Sequence, residues 1–184
     1  MLPGSRFRRL LVPVVLMAVV ALAGCATASG PTRPGPGAGA AAALPAGVDT
    51  TVERVVDGDT LVVTGGHRVR LIGVDTPETK DPRKPVQCFG REAAAYVAAL
   101  LGDGADVRLV GDVEERDAYG RTLAYVYRLA DGLFVNAELV RQGYAQVLTI
   151  PPNVAHTDEF LALAREARER GRGLWSSCPA AQPP

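Results

Sequence analysis

Between residues 51 and 74 the chain passes through short β-branched stretches separated by turn residues, and this alternation leaves few folds open to it. Thr51-Val52 and Val55-Val56 lead into Asp57-Gly58-Asp59, Leu61-Val62-Val63 leads out, and Gly65-Gly66 precedes Val69-Arg70-Leu71-Ile72-Gly73-Val74. Asp-Gly between such runs signals a hairpin, because these residues tolerate the backbone that a tight turn requires. The expectation is an antiparallel three-stranded meander. Arg70 and Asp75 then conflict: strict alternation puts them on opposite faces of one strand. A bulge or strand end near Gly73 resolves this, since glycine inside a strand marks such a break.

Lys80 to Gln87 contains two prolines and three basic residues and reads as a loop. From Phe89 to Leu101 apolar residues recur at spacings of three and four, which predicts a helix stopped by Gly102. Asp106–Val110 and Thr122–Tyr127 read as strands, and Phe134–Gln142 as a short helix closed by Gly143. A last helix is expected over Thr157–Arg170, with Asp158 and Glu159 in its first turn and Arg168 and Arg170 in its last, complementing the helix dipole. Periodicity alone leads to a small α+β domain with a barrel-like sheet. His67 and His156 read as surface or capping groups, Trp175 as packing for the final helix, and Asn136 and Arg141-Gln142 as hydrogen-bonding supports of the short helix.

The first residues follow another logic. Arg6, Arg8 and Arg9 precede an apolar run of thirteen residues, Leu10 to Leu22, that ends in Leu22-Ala23-Gly24-Cys25. A transmembrane helix needs roughly 20 apolar residues, so the run reads as a signal segment spanning 1–24. Leu-Ala-Gly-Cys resembles the lipobox of bacterial lipoprotein precursors, which implies lipid on Cys25; the alternative is a plain signal peptide with an incidental cysteine. Residues 25–47, rich in Ala, Gly and Pro, cannot bury enough apolar surface to offset ordering and are expected to form a disordered tether. The domain is expected over 48–178 and a disordered tail over 179–184. The expected location is the outer face of the cell membrane, reached only through the lipid.

The formal charge of zero conceals an acidic domain. Four arginines and no acid precede residue 48, leaving sixteen basic against twenty acidic residues beyond it. Proteins that coat nucleic acid by charge alone are normally basic, so any action on nucleic acid must come from a local site. With Cys25 assigned to lipid, Cys88 and Cys178 remain as an even pair in an exported domain, and a disulfide between them is expected. Closing a loop of that size contributes about 4–5 kcal/mol in the chain-entropy account.

Four segments carry residues suited to chemistry. Asp57-Gly58-Asp59-Thr60 is by itself a hairpin turn, and Arg70 to Thr79 ends in Asp75-Thr76-Pro77-Glu78, by itself a proline turn. Pro77 biases Thr76 towards an extended backbone whose carbonyl can point at a ligand. Asp57, Asp59, Asp75 and that carbonyl are hard oxygen donors, suited to Ca²⁺ or Mg²⁺ rather than zinc. Asp117-Ala118-Tyr119-Gly120-Arg121 is a turn that delivers an arginine to a strand, and Lys80, Arg83 and Lys84 form a basic loop after the acidic site. Phosphodiester hydrolysis uses these types together. Glu78 is the carboxylate left to activate water, and two guanidiniums, Arg70 and Arg121, suit paired hydrogen bonds to phosphate oxygens where lysine offers a point charge.

In order and spacing, Asp-Gly-Asp-Thr, Arg-Leu-x-x-Val-Asp-Thr-Pro-Glu-Thr, Tyr-Gly-Arg-x-Leu-Ala-Tyr and Val-Asn-x-x-Leu-Val-Arg-Gln-Gly resemble the staphylococcal-type nucleases from about Val52 to Trp175. The resemblance implies an α+β fold, an OB-type five-stranded Greek-key barrel with about three helices. It implies catalytic roles for Arg70, Glu78 and Arg121, and Ca²⁺ in preference to Mg²⁺ on Asp59, Asp75 and Thr76 with Asp57 close behind. Substrate contacts fall on Lys84 and Tyr119. The implied activity is hydrolysis of DNA and RNA that leaves 3′-phosphates; single strands are the expected preference, and a monomer is the default expectation. Two positions depart from the pattern: Ala118 replaces a lysine, and Leu148-Thr149-Ile150-Pro151-Pro152 replaces a tyrosine-rich wall. The competing readings are a non-catalytic OB-type module binding nucleic acid or protein at the surface, and a lipoprotein whose metal site is only a structural clamp.

Overall fold

The computed structural model describes residues 43–79 and 85–178. The expected signal segment, Cys25, the loop residues Lys80, Arg83 and Lys84, and the tail at 179–184 lie outside the described residues. The expected meander forms. Strand β1 (Val48–Val55) pairs antiparallel with β2 (Thr60–Val63) across the Asp57-Gly58-Asp59 turn, and β2 pairs with β3 (His67–Leu71) across Gly65-Gly66. The register of β1 against β2 shifts between Val52 and Arg54, a bulge that bends the strand and helps the sheet curl.

The run from Val69 to Val74 is not one strand. It stops at Leu71, turns through Gly73 at φ 78°, and resumes as β4 (Val74–Asp75). A side chain at Gly73 would be strained by that φ, and its Cβ would lie 2.5 Å from the Phe160 ring. Residue 73 is therefore fixed by backbone and packing together.

Helix α1 (Gly90–Leu101) follows, ending at Gly102, and presents Ala93, Val97 and Leu101 to the core. Strand β5 (Asp106–Val110) then pairs antiparallel with β6 (Thr122–Arg128), while β6 runs parallel to β3 and β5 meets β1. The order β1-β2-β3-β6-β5 closes on itself, which is the OB-type barrel of an α+β domain. Parallel neighbours cannot be joined by a hairpin, so α1 and β5 serve as the crossover between β3 and β6. Leu61, Val69, Leu71, Val107, Ala124 and Val126 are buried core residues of these strands.

Helices α2 (Val135–Arg141) and α3 (Thr157–Glu169) complete the three expected, and a single extra turn, α4 (Leu174–Ser177), follows them. Strand β7 (Gln146–Val147), not expected from the sequence, pairs with β4 and carries the chain past the site. Asn136, fully buried at the start of α2, accepts from the Val126 N–H at 2.9 Å and donates to the Ile72 carbonyl at 2.8 Å and to Ala124 at 3.4 Å. It thereby ties α2 to both β6 and the turn after β3. His156 is more than a cap. Its ring packs within an aromatic cluster of Tyr125, Phe134 and Phe160, and its Nδ1 lies 2.9 Å from Glu159. Trp175 packs under Arg168, 4.2 Å from the guanidinium carbon to the ring centre.

Cys88 and Cys178 form the expected disulfide, with Cα atoms 5.9 Å apart. The tether expected through residue 47 gives way to the domain sooner: Leu44 packs against the core, and the Pro45 carbonyl accepts from Arg108 at 3.4 Å. A leucine supplies apolar area that the Ala/Gly/Pro composition of the segment as a whole lacks.

Candidate active site

The site is assembled where the barrel strands leave the sheet. Asp59 immediately precedes β2, Arg70 lies in β3, Asp75 ends β4, and Arg121 stands one residue before β6. The parallel register matches Arg70 with Leu123, and Arg121 is two residues before Leu123. Alternation therefore sets both arginines on one face of adjoining strands, opposite the buried Leu71 and Ala124.

Arg70 is held at both terminal nitrogens of its guanidinium. Nη1 donates to the carbonyls of Leu71 at 3.0 Å and Val74 at 2.8 Å, clasping the Gly73 turn. Nη2 lies 3.1 Å from Asp75 Oδ1 and 3.3 Å from Asp59 Oδ2. The break at Gly73 thus removes the facing conflict between Arg70 and Asp75. Asp59 Oδ2 also accepts from the Thr76 backbone N–H at 2.9 Å and its hydroxyl at 3.0 Å, and Thr60 donates to Oδ1 at 3.2 Å. Gly58 lets this turn approach Thr76, whose side chain would lie within 2.7–2.8 Å of a Cβ there. Asp57 sits behind Asp59 and accepts from its backbone N–H at 3.2 Å.

These carboxylates repel one another. Burial, then the neighbouring Asp59 charge, pushes Asp57 up to about 6. Burial and Asp59 also raise Asp75, against the pull of Arg70, and the Glu78 charge adds to the rise. Glu78 follows Asp75 by three residues, across Thr76-Pro77. The Glu78 backbone is fixed from the far side of its loop by Gln87, whose side-chain oxygen accepts the Glu78 N–H at 2.8 Å.

Arg121 is oriented by its own turn. Its Nε donates to Asp117 Oδ2 at 2.6 Å, while Asp117 Oδ1 accepts the backbone N–H groups of Tyr119 at 2.9 Å and Arg121 at 3.0 Å. Burial would raise Asp117, but these hydrogen bonds outweigh it and hold the carboxyl below its ordinary range. Tyr119 is 85% exposed, with the Arg121 guanidinium 5.4 Å from its ring centre. On the same chain, Ile150 is 60% exposed within the segment that lacks aromatic side chains.

Among the described residues no group of three or more His, Cys, Asp or Glu side chains forms a metal cage. Of the three aspartates expected near a cation, two, Asp59 and Asp75, converge on one point, and Asp57 stands behind. That point holds the Arg70 Nη2, so a positive charge already sits between the two carboxylates. Carboxylate oxygens such as those of Asp59 and Asp75 are the donors that a hard divalent cation prefers, its shell completed by water or phosphate oxygens. Sequence reasoning gave no role to Asp117 or Gln87. The Asp-x-x-Gly-Arg spacing was a usable signal for the first, because an aspartate at a turn binds backbone N–H groups two residues on. Nothing local marks Gln87.

The family model described as "Staphylococcal nuclease homologue" matches residues 68–177. The chain is 42% identical over 127 residues to a thermonuclease of Staphylococcus intermedius, covering 67% of this chain and 74% of that one. It is 39% identical over 129 residues to a thermonuclease of Staphylococcus hyicus, with 68% and 75% covered. Against the endonuclease YncB of Bacillus subtilis it is 38% identical over 133 residues, with 70% and 62% covered.

Proposed function

The chain belongs to the staphylococcal nuclease family and is a nuclease, a hydrolase of phosphodiester bonds in nucleic acid, and on that premise we propose that it cleaves DNA and RNA with Ca²⁺ at the outer face of the cell membrane. The observation that carries the reading is the pair of arginines on one face of adjoining strands, with Asp59 and Asp75 paired to the first of them.

In this mechanism Glu78 takes a proton from the attacking water, whose oxygen bonds to phosphorus as the bond to the 5′-oxygen breaks. The 5′-oxygen departs with a proton from solvent, leaving a 3′-phosphate. Arg70 and Arg121 donate to the equatorial oxygens as their charge grows. Asp117 keeps the Arg121 fork aimed by holding Nε. Asp59, Asp75 and the Thr76 carbonyl, with Asp57 behind, would hold Ca²⁺, which would supply further neutralisation of the phosphate charge.

Tyr119, exposed beside Arg121, contacts the nucleotide, and Lys84 contacts a phosphate. Single strands are preferred because the bases must reach these side chains, and the enzyme works as a monomer. The Leu148–Pro152 segment offers an aliphatic surface to the base and forgoes aromatic stacking, about 1–3 kcal/mol per base in single-strand binders. Cleavage is therefore slower or differently selective than with an aromatic wall.

The test is cleavage of quenched fluorescent single-stranded DNA and RNA by the full chain in Ca²⁺, Mg²⁺ or chelator. Cleavage should require Ca²⁺ and fall by at least ~10²-fold in Glu78→Gln, the scale of a positioned base. A folded protein that binds the strands in chelator and never cuts them is instead a binding module. The lipid anchor rests on Cys25 at the end of the apolar run Leu10 to Leu22. Cys25→Ser should release the protein from membranes into the soluble fraction; retention in the membrane would remove the anchor.

A further inference from the structure

We propose that Gln87 is a positioning residue for Glu78, and that the Cys88–Cys178 disulfide fixes Gln87 by fastening the next residue to the end of the α4 turn. The inference rests on the reading of Glu78 as the base. The observations are three attachments converging on the backbone at Glu78. Its N–H donates to Gln87 Oε1 at 2.8 Å, and the Gln87 N–H returns a hydrogen bond to the Glu78 carbonyl at 3.0 Å. A Cβ at Gly90 would lie 2.8 Å from the Pro77 carbonyl oxygen and 3.3 Å from that of Glu78, so the start of α1 is pressed against the segment that carries the base. The Gly90 N–H, in turn, donates to the Gln87 carbonyl at 3.1 Å.

What keeps Gln87 there lies on its other side. Cys88 is bonded to Cys178, which caps α4. The α4 turn is itself docked on the end of α2: the Leu174 N–H donates to the Gly143 carbonyl at 2.9 Å, and a Cβ at Gly173 would lie 2.3 Å from that oxygen. Phe89, between Cys88 and α1, adopts the left-handed conformation at φ 68°, a costly one for a residue with a Cβ. Such a backbone persists where its surroundings over-determine it, and here a covalent bond, a helix start and the Tyr144 ring 5.2 Å away do so. The loop that carries the base therefore has a rigid foot, and a general base acts only when held within hydrogen-bond reach of its water.

The experiment is a double-mutant cycle on the full chain, cleaving single-stranded DNA at saturating Ca²⁺. Gln87→Ala should lower kcat roughly 10- to 100-fold, the cost of an ångström-scale misplacement of a reacting group, with KM unchanged. Gln87→Glu, which keeps an acceptor oxygen for the Glu78 N–H, should recover most of the loss. In a Glu78→Gln background, Gln87→Ala should cost nothing further, because the group it positions is gone. The paired variant Cys88→Ser/Cys178→Ser should show the same dependence on Glu78, and it decides the matter if Gln87→Ala does not fold. An unchanged kcat in Gln87→Ala, or an equal loss in both backgrounds, overturns the proposal and leaves Gln87 a structural residue. If Glu78→Gln itself cleaves at the unmutated rate, the base reading fails and this proposal with it. An inactive Glu78→Gln beside an unaffected Gln87→Ala removes this proposal alone.

Discussion

Arg70→Ala is expected to lower kcat at least ~10²-fold and to destabilise the metal-free protein, with added Ca²⁺ restoring stability but not turnover. One donor aimed at developing phosphate charge is worth about 3–4 kcal/mol, which sets the catalytic loss. The stability loss has a separate origin. Nη2 is the cation between Asp59 and Asp75, and Nη1 clasps the carbonyls on either side of Gly73. Without it two carboxylates face each other, with Asp57 behind and Glu78 alongside. A divalent cation on the same oxygens replaces the lost charge, so the melting difference should narrow in Ca²⁺ and widen in chelator. Arg70→Lys sharpens the test, because it returns the charge without the fork. It should regain much of the stability and little of the rate. Near-normal cleavage by Arg70→Lys would show that paired hydrogen bonds to phosphate are not what this residue contributes.

The second large effect is on stability alone. Asn136→Asp keeps the size of the side chain, and one oxygen can still accept the Val126 N–H. The other oxygen now faces the Ile72 and Ala124 carbonyls that the amide donated to, in a fully buried position. An unpaired buried charge against two acceptors should cost about 3 kcal/mol or more. For a domain of this size that lowers Tm by on the order of 10 °C. The sign of the pH dependence follows from the same contacts. Protonated, the introduced carboxyl can donate to Ile72, so its folded pKa lies above its unfolded value of about 3.9. The deficit relative to the unmutated protein is thus full above the folded pKa and shrinks as pH falls through it. Melting curves across that range check this; a deficit independent of pH would mean the carboxyl never meets those carbonyls.

Much of this fold was legible because its signals are local. Asp57-Gly58-Asp59 and Gly65-Gly66 announce their hairpins within a few residues, and Gly102 and Gly143 end their helices where the apolar spacing stops. Gly73 was legible in another way, through a contradiction: Arg70 and Asp75 had to meet, and alternation forbade it unless the strand broke between them. The strand β7 was invisible because two residues carry no periodicity, and α4 because one turn carries little. The site's side chains were named by their types, but their holders were not. Asp117 grips Arg121 across a turn, and Gln87 reaches Glu78 across nine positions. His156 enters an aromatic cluster drawn from β6, α3 and the residue before α2, and such contacts exist only after the chain has been brought together.

The parallel seam between β3 and β6 has a consequence for how activity arises as the chain folds. Val69 and Thr122 pair across it although fifty-three positions of chain separate them, with α1 and β5 lying in between. Contacts of such long range are formed late, after local hairpins, because loop closure must be offset first. Arg70 belongs to the early hairpin and Arg121 to the late strand. A half-folded chain, or one cut in the turn before β6, would hold one guanidinium and lack the other. Cleavage of nucleic acid is then a report on a long-range pairing of the barrel, and it should return during refolding in step with that pairing and not with the earlier gain of hairpin or helix.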